Sequence, residues 1–121
     1  MRIIIVGAGK VGLALTQHLS GENQVTVIDQ NPQLIDNIIN IHDVMGVCGN
    51  GASYEVQKEA EANKAELLIA TTSSDETNIV ACLVAKKLGV QHTIARIRNP
   101  EYEKQLRFMR EELGLSMSIN P

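Results

Sequence analysis

The chain has 121 residues, of which 44% are hydrophobic, and eleven Lys and Arg against fourteen Asp and Glu give it a formal net charge of −3. This length suits one domain with its own core. The acidic balance and the scarcity of aromatic residues, one Phe and two Tyr, argue against nucleic acid as a partner, because such binding needs a basic surface and, for single strands, aromatic stacking.

Six short runs of apolar and β-branched residues recur along the chain. They do not alternate polar with apolar positions, which is typical of strands covered on both faces in a parallel sheet. The predicted strands are 3–6, 25–28, 44–47, 67–70, 93–97 and 115–119.

The segments between these strands have helical length and carry helix start and stop signals. The starts are Asn31-Pro32, Ser53, Ser73 with Glu76 as a capping box, and Asn99-Pro100; the stops are Gly89 and Gly114. This alternation predicts an α/β fold: a three-layer, doubly wound, Rossmann-like parallel sheet of about six strands in the order 3-2-1-4-5-6. Residues 1–121 are therefore expected to form one dinucleotide-binding domain, cut from a longer chain.

The first strand runs directly into a glycine-rich turn, GAGKVG, which opens a helix. Gly7, Gly9 and Gly12 form the pattern G-x-G-x-x-G. Asp29 ends the next strand, as expected for a dinucleotide-binding turn. In such a turn the first glycine permits the bend, the second lets a pyrophosphate approach the backbone, and the third lets the helix pack on the strand. A structural turn without a ligand is the alternative.

Asp29 is expected to accept hydrogen bonds from the ribose hydroxyls of an adenosine and to repel a 2′-phosphate, which favours NAD or adenine nucleotides over NADP. The adjacent Gln30 is a further candidate for the ribose. Lys10, at the mouth of the helix, is equally consistent with a phosphate contact and with a solvated surface side chain.

Other strand ends are expected to meet this turn, because open parallel sheets bind ligands outside the carboxyl ends of their strands. After the third strand, Gly49 and Asn50 in CGNGAS either face the adenosine or form a plain turn. After the fourth, Thr72 and Ser73 are candidates for the wall of the cleft. Ser73 is also assigned as the cap of the next helix.

Two arginines close the fifth predicted strand. Arg96 and Arg98 are two residues apart and are expected on one face near its carboxyl end. A buried arginine needs an anionic partner, so at least one of them should point to a phosphate or to an acidic side chain such as Asp75. Arg96 is the arginine assigned to the site.

The sequence offers no constellation for catalysis. A dehydrogenase needs an acid–base group beside the nicotinamide, usually from a second domain. His18, His42 and His92 have no serine or cysteine partner in the pattern and are expected to pack or to face solvent. A P-loop lysine–hydroxyl pair is also missing, so ligand binding without turnover is predicted.

The cysteines and the hydropathy indicate a soluble protein of a reducing compartment. No run of eighteen apolar residues and no secretion signal is found, so direct membrane insertion is not expected. Cys48 and Cys82 lie far apart among apolar neighbours, without metal-ligand spacing. They are expected to be buried free thiols.

Two helical segments indicate a subunit interface. Residues 79–85 in DETNIVACLVAKKLG are apolar without a break, whereas a helix in the outer layer keeps a polar face. The segment PEYEKQLRFMREELG is expected to form a helix with a stripe that faces the core, made of Tyr102, Leu106, Met109 and Leu113. Phe108 lies outside this stripe. These surfaces predict a homodimer or a higher homo-oligomer. The alternative is that alanines and Cys82 merely make the first helix look more apolar than it is.

Several stretches together resemble the nucleotide-binding domain of Trk/Ktr-type potassium-uptake regulators, the TrkA N-terminal or RCK domain. They are IIIVGAGKVG, VTVID, GNGAS, LLIATTSSDETNIVACLVAK and IARIRNPEY. The similarity covers essentially the whole chain, and TSSDETN and ARIRNPEY are more specific than the glycine pattern.

This resemblance implies a non-catalytic, cytoplasmic regulatory subunit that binds NAD(H) or ATP/ADP beneath an integral-membrane potassium transporter. Members usually continue into a crossover helix and a second ligand-binding domain. The match implies that the phosphates of the ligand contact Gly7, Ala8, Gly9, Lys10 and Val11 and that its ribose contacts Asp29. It places the adenosine side of the ligand at Gly49 and Asn50 and the wall of the cleft at Thr72 and Ser73. Arg96 would hold the charged portion of the ligand. Lys10 stands where several relatives carry Arg.

Two other functions compete with the regulator. One is the cofactor-binding half of an NAD-dependent oxidoreductase, and the other is an interaction domain that has lost its ligand. The SSDETN segment, the two arginines and the missing catalytic group favour the regulator over the first, and the intact glycines with Asp29 argue against the second.

Overall fold

The computed structural model describes residues 1–109 and 117–119, over which strands and helices alternate. The strands are β1 (Arg2–Val6), β2 (Gln24–Asp29), β3 (Met45–Cys48), β4 (Leu67–Ala70), β5 (His92–Arg96) and β6 (Met117–Ile119). The helices are α1 (Lys10–Leu19), α2 (Pro32–Ile41), α3 (Tyr54–Glu59), α4 (Asp75–Leu88) and α5 (Pro100–Phe108), and a 3-10 turn at Ala62–Lys64 precedes β4.

The strands form one parallel sheet in the order β3-β2-β1-β4-β5-β6, which confirms the predicted doubly wound α/β fold. Five strands of four to six residues make up its body. The predicted sixth strand, 115–119, is reduced to Met117–Ile119 beside β5, so the sheet is closer to five full strands than to six. The predicted helix stop at Gly114 and the stripe residue Leu113 lie outside the described residues.

Helices cover both faces of the sheet. Ile3 and Ile5 of β1 face the layer of α1 and α2, while Ile4 and Val6 face the layer of α3, α4 and α5. All four side chains are at most 2% exposed. The absence of polar alternation in β1 therefore reflects burial on both sides, as predicted.

Three of the predicted helix starts are confirmed by their side-chain caps. The N–H of Gln33 donates to Asn31, that of Glu101 to Asn99, and that of Val56 to Ser53. Gly89 ends α4 with φ +107°, the left-handed conformation that favours glycine.

The predicted start of α4 is wrong by one residue. Its cap is Ser74, whose Oγ accepts from the N–H of Thr77 at 3.1 Å, whereas Ser73 is exposed. The cause is a turn built by Thr72. Its Oγ1 accepts from the N–H of Ser74 at 3.2 Å, so residue 73 stays in the turn. The proposed Ser73–Glu76 capping box is not formed.

The sheet is open at β3, its outermost strand on one side. Met45 of β3 and Ile41 at the end of α2 are each 70% exposed there. Within the described part of the chain, no helix has the length and hydropathy needed to span a bilayer.

Candidate functional site

A cleft of about 540 Å³ opens at the carboxyl ends of the strands. It gathers residues from four loops and the end of β5 that the sequence placed in a common site. The predicted residues that line it are Gly7, Gly9, Lys10, Val11, Asp29, Gln30, Gly49, Asn50, Thr72, Ser73 and Arg96. The other two, Ala8 and Gly12, are buried within the turn rather than in the lining.

The three glycines of the turn have different surroundings. Gly7 has φ +111°, and a Cβ on Gly12 would lie 1.7 Å from the carbonyl oxygen of Gly7. Both positions therefore require glycine for the turn itself. A Cβ on Gly9, in contrast, would meet no atom within 4 Å, so the space beside Gly9 is open.

Helix α1 begins at this open position. Gly9 is its N-cap and provides no side-chain hydrogen bond. The first N–H groups of a helix have no partner within the helix, and the helix dipole adds positive potential there. With Lys10 exposed beside it, the start of α1 is suited to phosphate oxygens.

Asp29 holds the glycine turn to the end of β2. Its Oδ2 accepts from the N–H of Ala8 at 2.7 Å and its Oδ1 from the N–H of Asn31 at 2.8 Å. A carboxylate has about four acceptor sites, so each oxygen retains capacity for a further donor. Asp29 therefore has a structural role that sequence reasoning missed, and the N–H of Ala8 is already engaged by it.

The loop after β3 forms the wall beside Asp29. The N–H of Gly49 donates to the carbonyl oxygen of Asp29 at 2.9 Å. Asn50 folds the loop on itself, because its Oδ1 accepts from the N–H of Ala52 and its carbonyl oxygen accepts from that of Ser53, both at 2.9 Å. Gly49 and Asn50 are thus placed in the lining, and the side chain of Asn50 is also part of a turn.

The opposite wall depends on Asn78, a residue of α4 that the sequence did not point to. Asn78 is fully buried, and its Oδ1 accepts from the N–H and the Oγ1 of Thr72 at 2.9 and 2.7 Å. Its Nδ2 donates to the carbonyl oxygens of Thr72 and Arg96 at 3.0 and 2.8 Å. One amide therefore fixes the ends of β4 and β5. The available signal was an asparagine directly before the apolar run of residues 79–85.

Arg96 lines the cleft, and one of its nitrogens lacks a hydrogen-bond partner. Its Nη1 donates to the carbonyl oxygen of Thr71 at 3.4 Å, while its buried Nε has no hydrogen-bond partner. A buried donor of this kind is normally satisfied. The guanidinium of Arg96 adds a positive charge to the lining of the cleft.

Arg98 does not share the face of Arg96 on the strand. It lies beyond the end of β5, is exposed, and donates its backbone N–H to Asp75 at 2.9 Å. Asp75 also accepts from the N–H of Asn99 at 2.8 Å, so this carboxylate fixes a loop. The expectation that both arginines lie on one strand face is wrong, because β5 ends at Arg96.

The ionisable side chains among the described lining residues are Lys10, Asp29 and Arg96. The histidines lie elsewhere: His18 is exposed on α1, His42 caps the end of α2, and His92 begins β5 at the opposite edge of the sheet. In the described part of the chain no cluster of His, Cys, Asp and Glu is arranged to hold a metal ion. The cleft is equipped to bind a ligand with both anionic and hydroxyl groups.

The two cysteines are free, and only one of them is buried. Cys82 is fully buried in α4, whereas Cys48 is exposed at the end of β3, with its Sγ 3.5 Å from the carbonyl oxygen of Gln30. The expectation that Cys48 is buried is wrong, because β3 is an edge strand and its Cys48 side chain faces solvent.

The cysteines are expected to react differently with a thiol reagent such as DTNB. Burial raises the pKa of Cys82 to about 12, so little thiolate forms at neutral pH and the reagent cannot reach it. Native protein should react rapidly at Cys48 and denatured protein at both residues. The variant Cys48→Ser should lose the rapid phase, and rapid reaction of both thiols in the folded protein would contradict the burial of Cys82.

A second, apolar groove of about 250 Å³ lies between α4 and α5. Val80 on α4 is 44% exposed, and Phe108 at the end of α5 is 87% exposed. The Oη of Tyr102 donates to Oε2 of Glu76 at 2.6 Å across the two helices. This hydrogen bond lowers the pKa of Glu76 and raises the pKa of Tyr102.

A parallel doubly wound sheet, with G-x-G-x-x-G after its first strand and an acidic residue at the end of the second, defines a Rossmann-like domain. The family model of the TrkA-N domain matches residues 3–121. The chain belongs to the TrkA-N domain family.

Curated relatives are much longer than this chain. It is 40% identical over 125 residues to the Trk system potassium uptake protein TrkA of Haemophilus influenzae, covering 100% of this chain and 27% of that protein. It is 34% identical over 121 residues to a TrkA homolog of Archaeoglobus fulgidus, covering 100% of this chain and 28% of the relative. The chain thus spans little more than a quarter of their length.

Solved structures share the fold at lower identity. The TrkA-N domain of the inner membrane protein ybaL from Escherichia coli has a TM-score of 0.84 and 22% identity, over 98% of this chain and 86% of that one. The Kef C-terminal domain of Shewanella denitrificans in its AMP-bound form has a TM-score of 0.80 and 20% identity, and the match covers 100% of this chain and 72% of that chain. The GsuK channel bound to NAD has a TM-score of 0.81 and 22% identity, and the match covers 98% of this chain and 21% of the channel chain. A structure of GsuK bound to ADP also matches.

Proposed function

We propose that the cleft binds an adenine nucleotide, either NAD(H) or ATP/ADP. The observation that carries this proposal is that the open backbone at Gly9, the carboxylate of Asp29 and the side chain of Arg96 line one cavity. Its volume of about 540 Å³ falls in the range of small-molecule sites. The NAD and ADP complexes of GsuK and the AMP complex of Kef, which share the fold, support the choice of ligand.

In this proposal each part of the ligand has its own contacts. The phosphates lie on the N–H groups at the start of α1, beside Lys10. The ribose donates to Asp29, with Gln30 next to it, and the adenosine lies along Gly49 and Asn50. The remainder of the ligand extends toward Thr72, Ser73 and Arg96, where the guanidinium stabilises negative charge.

The biological role proposed is regulation of potassium transport without catalysis. Matched relatives are named as potassium uptake proteins, and the described residues of the cleft include no histidine or cysteine. The domain would act at the cytoplasmic face of an integral-membrane potassium transporter. A nucleotide changes the equilibrium between two arrangements only by binding one more tightly, and a coupling of about 1–3 kcal/mol would shift that equilibrium about 5–150-fold.

The ligand is tested by calorimetric titration of the 121-residue chain with NAD, NADH, ATP, ADP and NADP. We expect adenine nucleotides to bind and NADP to bind more weakly than NAD, because Asp29 repels its 2′-phosphate. A cleft that binds none of the five at millimolar concentration would contradict the proposal.

The lining of the cleft favours the regulator over the competing oxidoreductase function. Such an enzyme needs an acid–base group beside the nicotinamide. The described cleft offers only Lys10, Asp29 and Arg96, and both oxygens of Asp29 already accept backbone hydrogen bonds.

We also propose that the groove between α4 and α5 is the contact of a homodimer. Its apolar lining and the exposed Val80 and Phe108 support this assignment. The variant Val80→Asp is expected to shift the protein toward monomer in light scattering, because it places a charge in the contact. Gln17→Asp, which adds the same charge at an exposed position on α1, is the matched control. An exclusively monomeric parent at high concentration would overturn the proposal.

A further inference from the structure

Gln57 of α3 is a polar side chain sealed inside the core. It is 0% exposed and reaches two backbone carbonyl oxygens that belong to different parts of the chain. Its Nε2 donates to the carbonyl oxygen of Gly51 at 2.8 Å and to that of Ala81 at 2.8 Å. Its Oε1 is buried and has no hydrogen-bond partner.

The orientation of this amide is fixed by chemistry. Two carbonyl oxygens converge on one point, and a carbonyl oxygen can only accept. The group between them must therefore be a donor, and a flipped amide would place a third oxygen against the other two. Glutamine satisfies the two carbonyls at the expense of leaving its own oxygen unpaired in the core.

Core stability alone does not account for this residue. A buried acceptor without a partner is unfavourable, and an aliphatic side chain of similar size would fill the same space without leaving an unpaired oxygen in the core. The carbonyl of Ala81 lies within α4, where it also accepts within the helix. The group that depends on Gln57 is the carbonyl of Gly51, in the loop that lines the cleft.

The position of Gly51 is narrowly defined. A Cβ there would lie 2.2 Å from Cγ1 of Val6, so the loop backbone rests directly on β1. Asn50, its neighbour in the lining, takes its position from the same short turn. A hydrogen bond that fixes Gly51 therefore fixes the wall of the cleft on the side of Asp29.

We propose that Gln57 is a positioning residue for the adenosine side of the cleft. It holds the loop of residues 49–53 against α4, so that Gly49 and Asn50 are in place before the ligand arrives. This inference rests on the proposed nucleotide function, because it assumes that adenosine occupies the side of Asp29.

The test compares the parent chain with Gln57→Met, which has similar volume and no donor. We expect AMP to bind the variant roughly five- to tenfold more weakly, as for loss of a hydrogen bond that orders the site. Inorganic pyrophosphate, which contacts only the start of α1, should bind both proteins equally. The thermal midpoint should change little, because removal of the unpaired Oε1 offsets the loss of the partner of the buried Gly51 carbonyl oxygen.

Amide hydrogen exchange gives a readout without a ligand. The N–H groups of Ala52 and Ser53, which bond to Asn50, should exchange at least several-fold faster in Gln57→Met, while those of β1 remain unchanged. Unchanged exchange together with unchanged AMP affinity would overturn the inference. Equal loss of AMP and pyrophosphate binding with a lower thermal midpoint would also overturn it, since that pattern is general destabilisation.

A second variant tests the need for a donor. In Gln57→Glu the neutral acid has one O–H donor and the ionised form has none. Its AMP affinity relative to the parent at the same pH should therefore fall as the pH rises, and a ratio independent of pH would contradict the donor role. If the parent binds no nucleotide, the proposed function fails, and the exchange measurement alone decides whether Gln57 positions the loop.

Discussion

Replacing Gly12 with alanine is expected to lower the free energy of unfolding by roughly 3 kcal/mol or more. The added Cβ would lie 1.7 Å from the carbonyl oxygen of Gly7, which is backbone and cannot rotate away. Within a helix, glycine to alanine normally stabilises by up to about 1 kcal/mol, so a large loss would identify the close approach as its cause. For a chain of this size, thermal unfolding should fall by at least about 10 °C.

Gly9→Ala is the matched control in the same turn. A Cβ there meets no atom within 4 Å, and the φ of −77° suits alanine, so the free energy of unfolding should stay within about 1 kcal/mol of the parent. Its nucleotide affinity should nevertheless fall at least tenfold, because the methyl group occupies the space of the phosphates. Equal stability of the two variants would contradict the geometry of the turn, and full nucleotide affinity in Gly9→Ala would contradict the phosphate position.

Replacing Asp29 with alanine is expected to lower both stability and nucleotide affinity. The change removes the acceptor of the Ala8 and Asn31 N–H groups, and hydrogen bonds to charged groups contribute about 1.5–3 kcal/mol each. Because Asp29 is only half-buried, a loss of about 2–3 kcal/mol in the free energy of unfolding is expected. Loss of the ribose hydrogen bonds should weaken NAD or ADP binding at least tenfold.

Asp29→Asn separates the charge from the hydrogen bonds. Its carbonyl oxygen retains an acceptor for one of the two N–H groups, so it should be more stable than Asp29→Ala. Without the negative charge, the preference for NAD over NADP should shrink. Calorimetry and chemical denaturation of both variants check these expectations, and an unchanged preference for NAD in Asp29→Asn would rule out the carboxylate as the group that repels the 2′-phosphate.

The sequence was sufficient for the fold and for the outline of the cleft because both depend on local patterns. Apolar runs without alternation gave the buried strands, and the spacing of Gly7, Gly9 and Gly12 placed the turn at the switch from β1 to α1. The carboxyl ends of parallel strands then brought distant loops to one edge. The errors were local as well: the cap of α4 is displaced to Ser74 by the turn that Thr72 builds.

What the sequence did not reveal were the contacts that bridge distant parts of the chain. Asn78 bonds to the carbonyl oxygen of Arg96 eighteen residues away, and Gln57 to that of Ala81 twenty-four residues away. No periodicity marks such pairs, because they exist only after the helix has packed on the sheet. The burial of Cys48 was misjudged for another reason: the predicted order already placed β3 at an edge, but the apolar neighbours of Cys48 were taken as a sign of burial.

The open flank at β3 has a consequence for how the molecule behaves in concentrated solution. Along one side of β3 the backbone N–H and C=O groups have no neighbouring strand in the described sheet. The strand residues, MGVC, include neither lysine nor proline, which commonly prevent the addition of another strand at an edge. The apolar side chains of Ile41 and Met45 are exposed beside this edge. Two copies that pair β3 against β3 would form a closed two-fold pair, and this association would not depend on nucleotide.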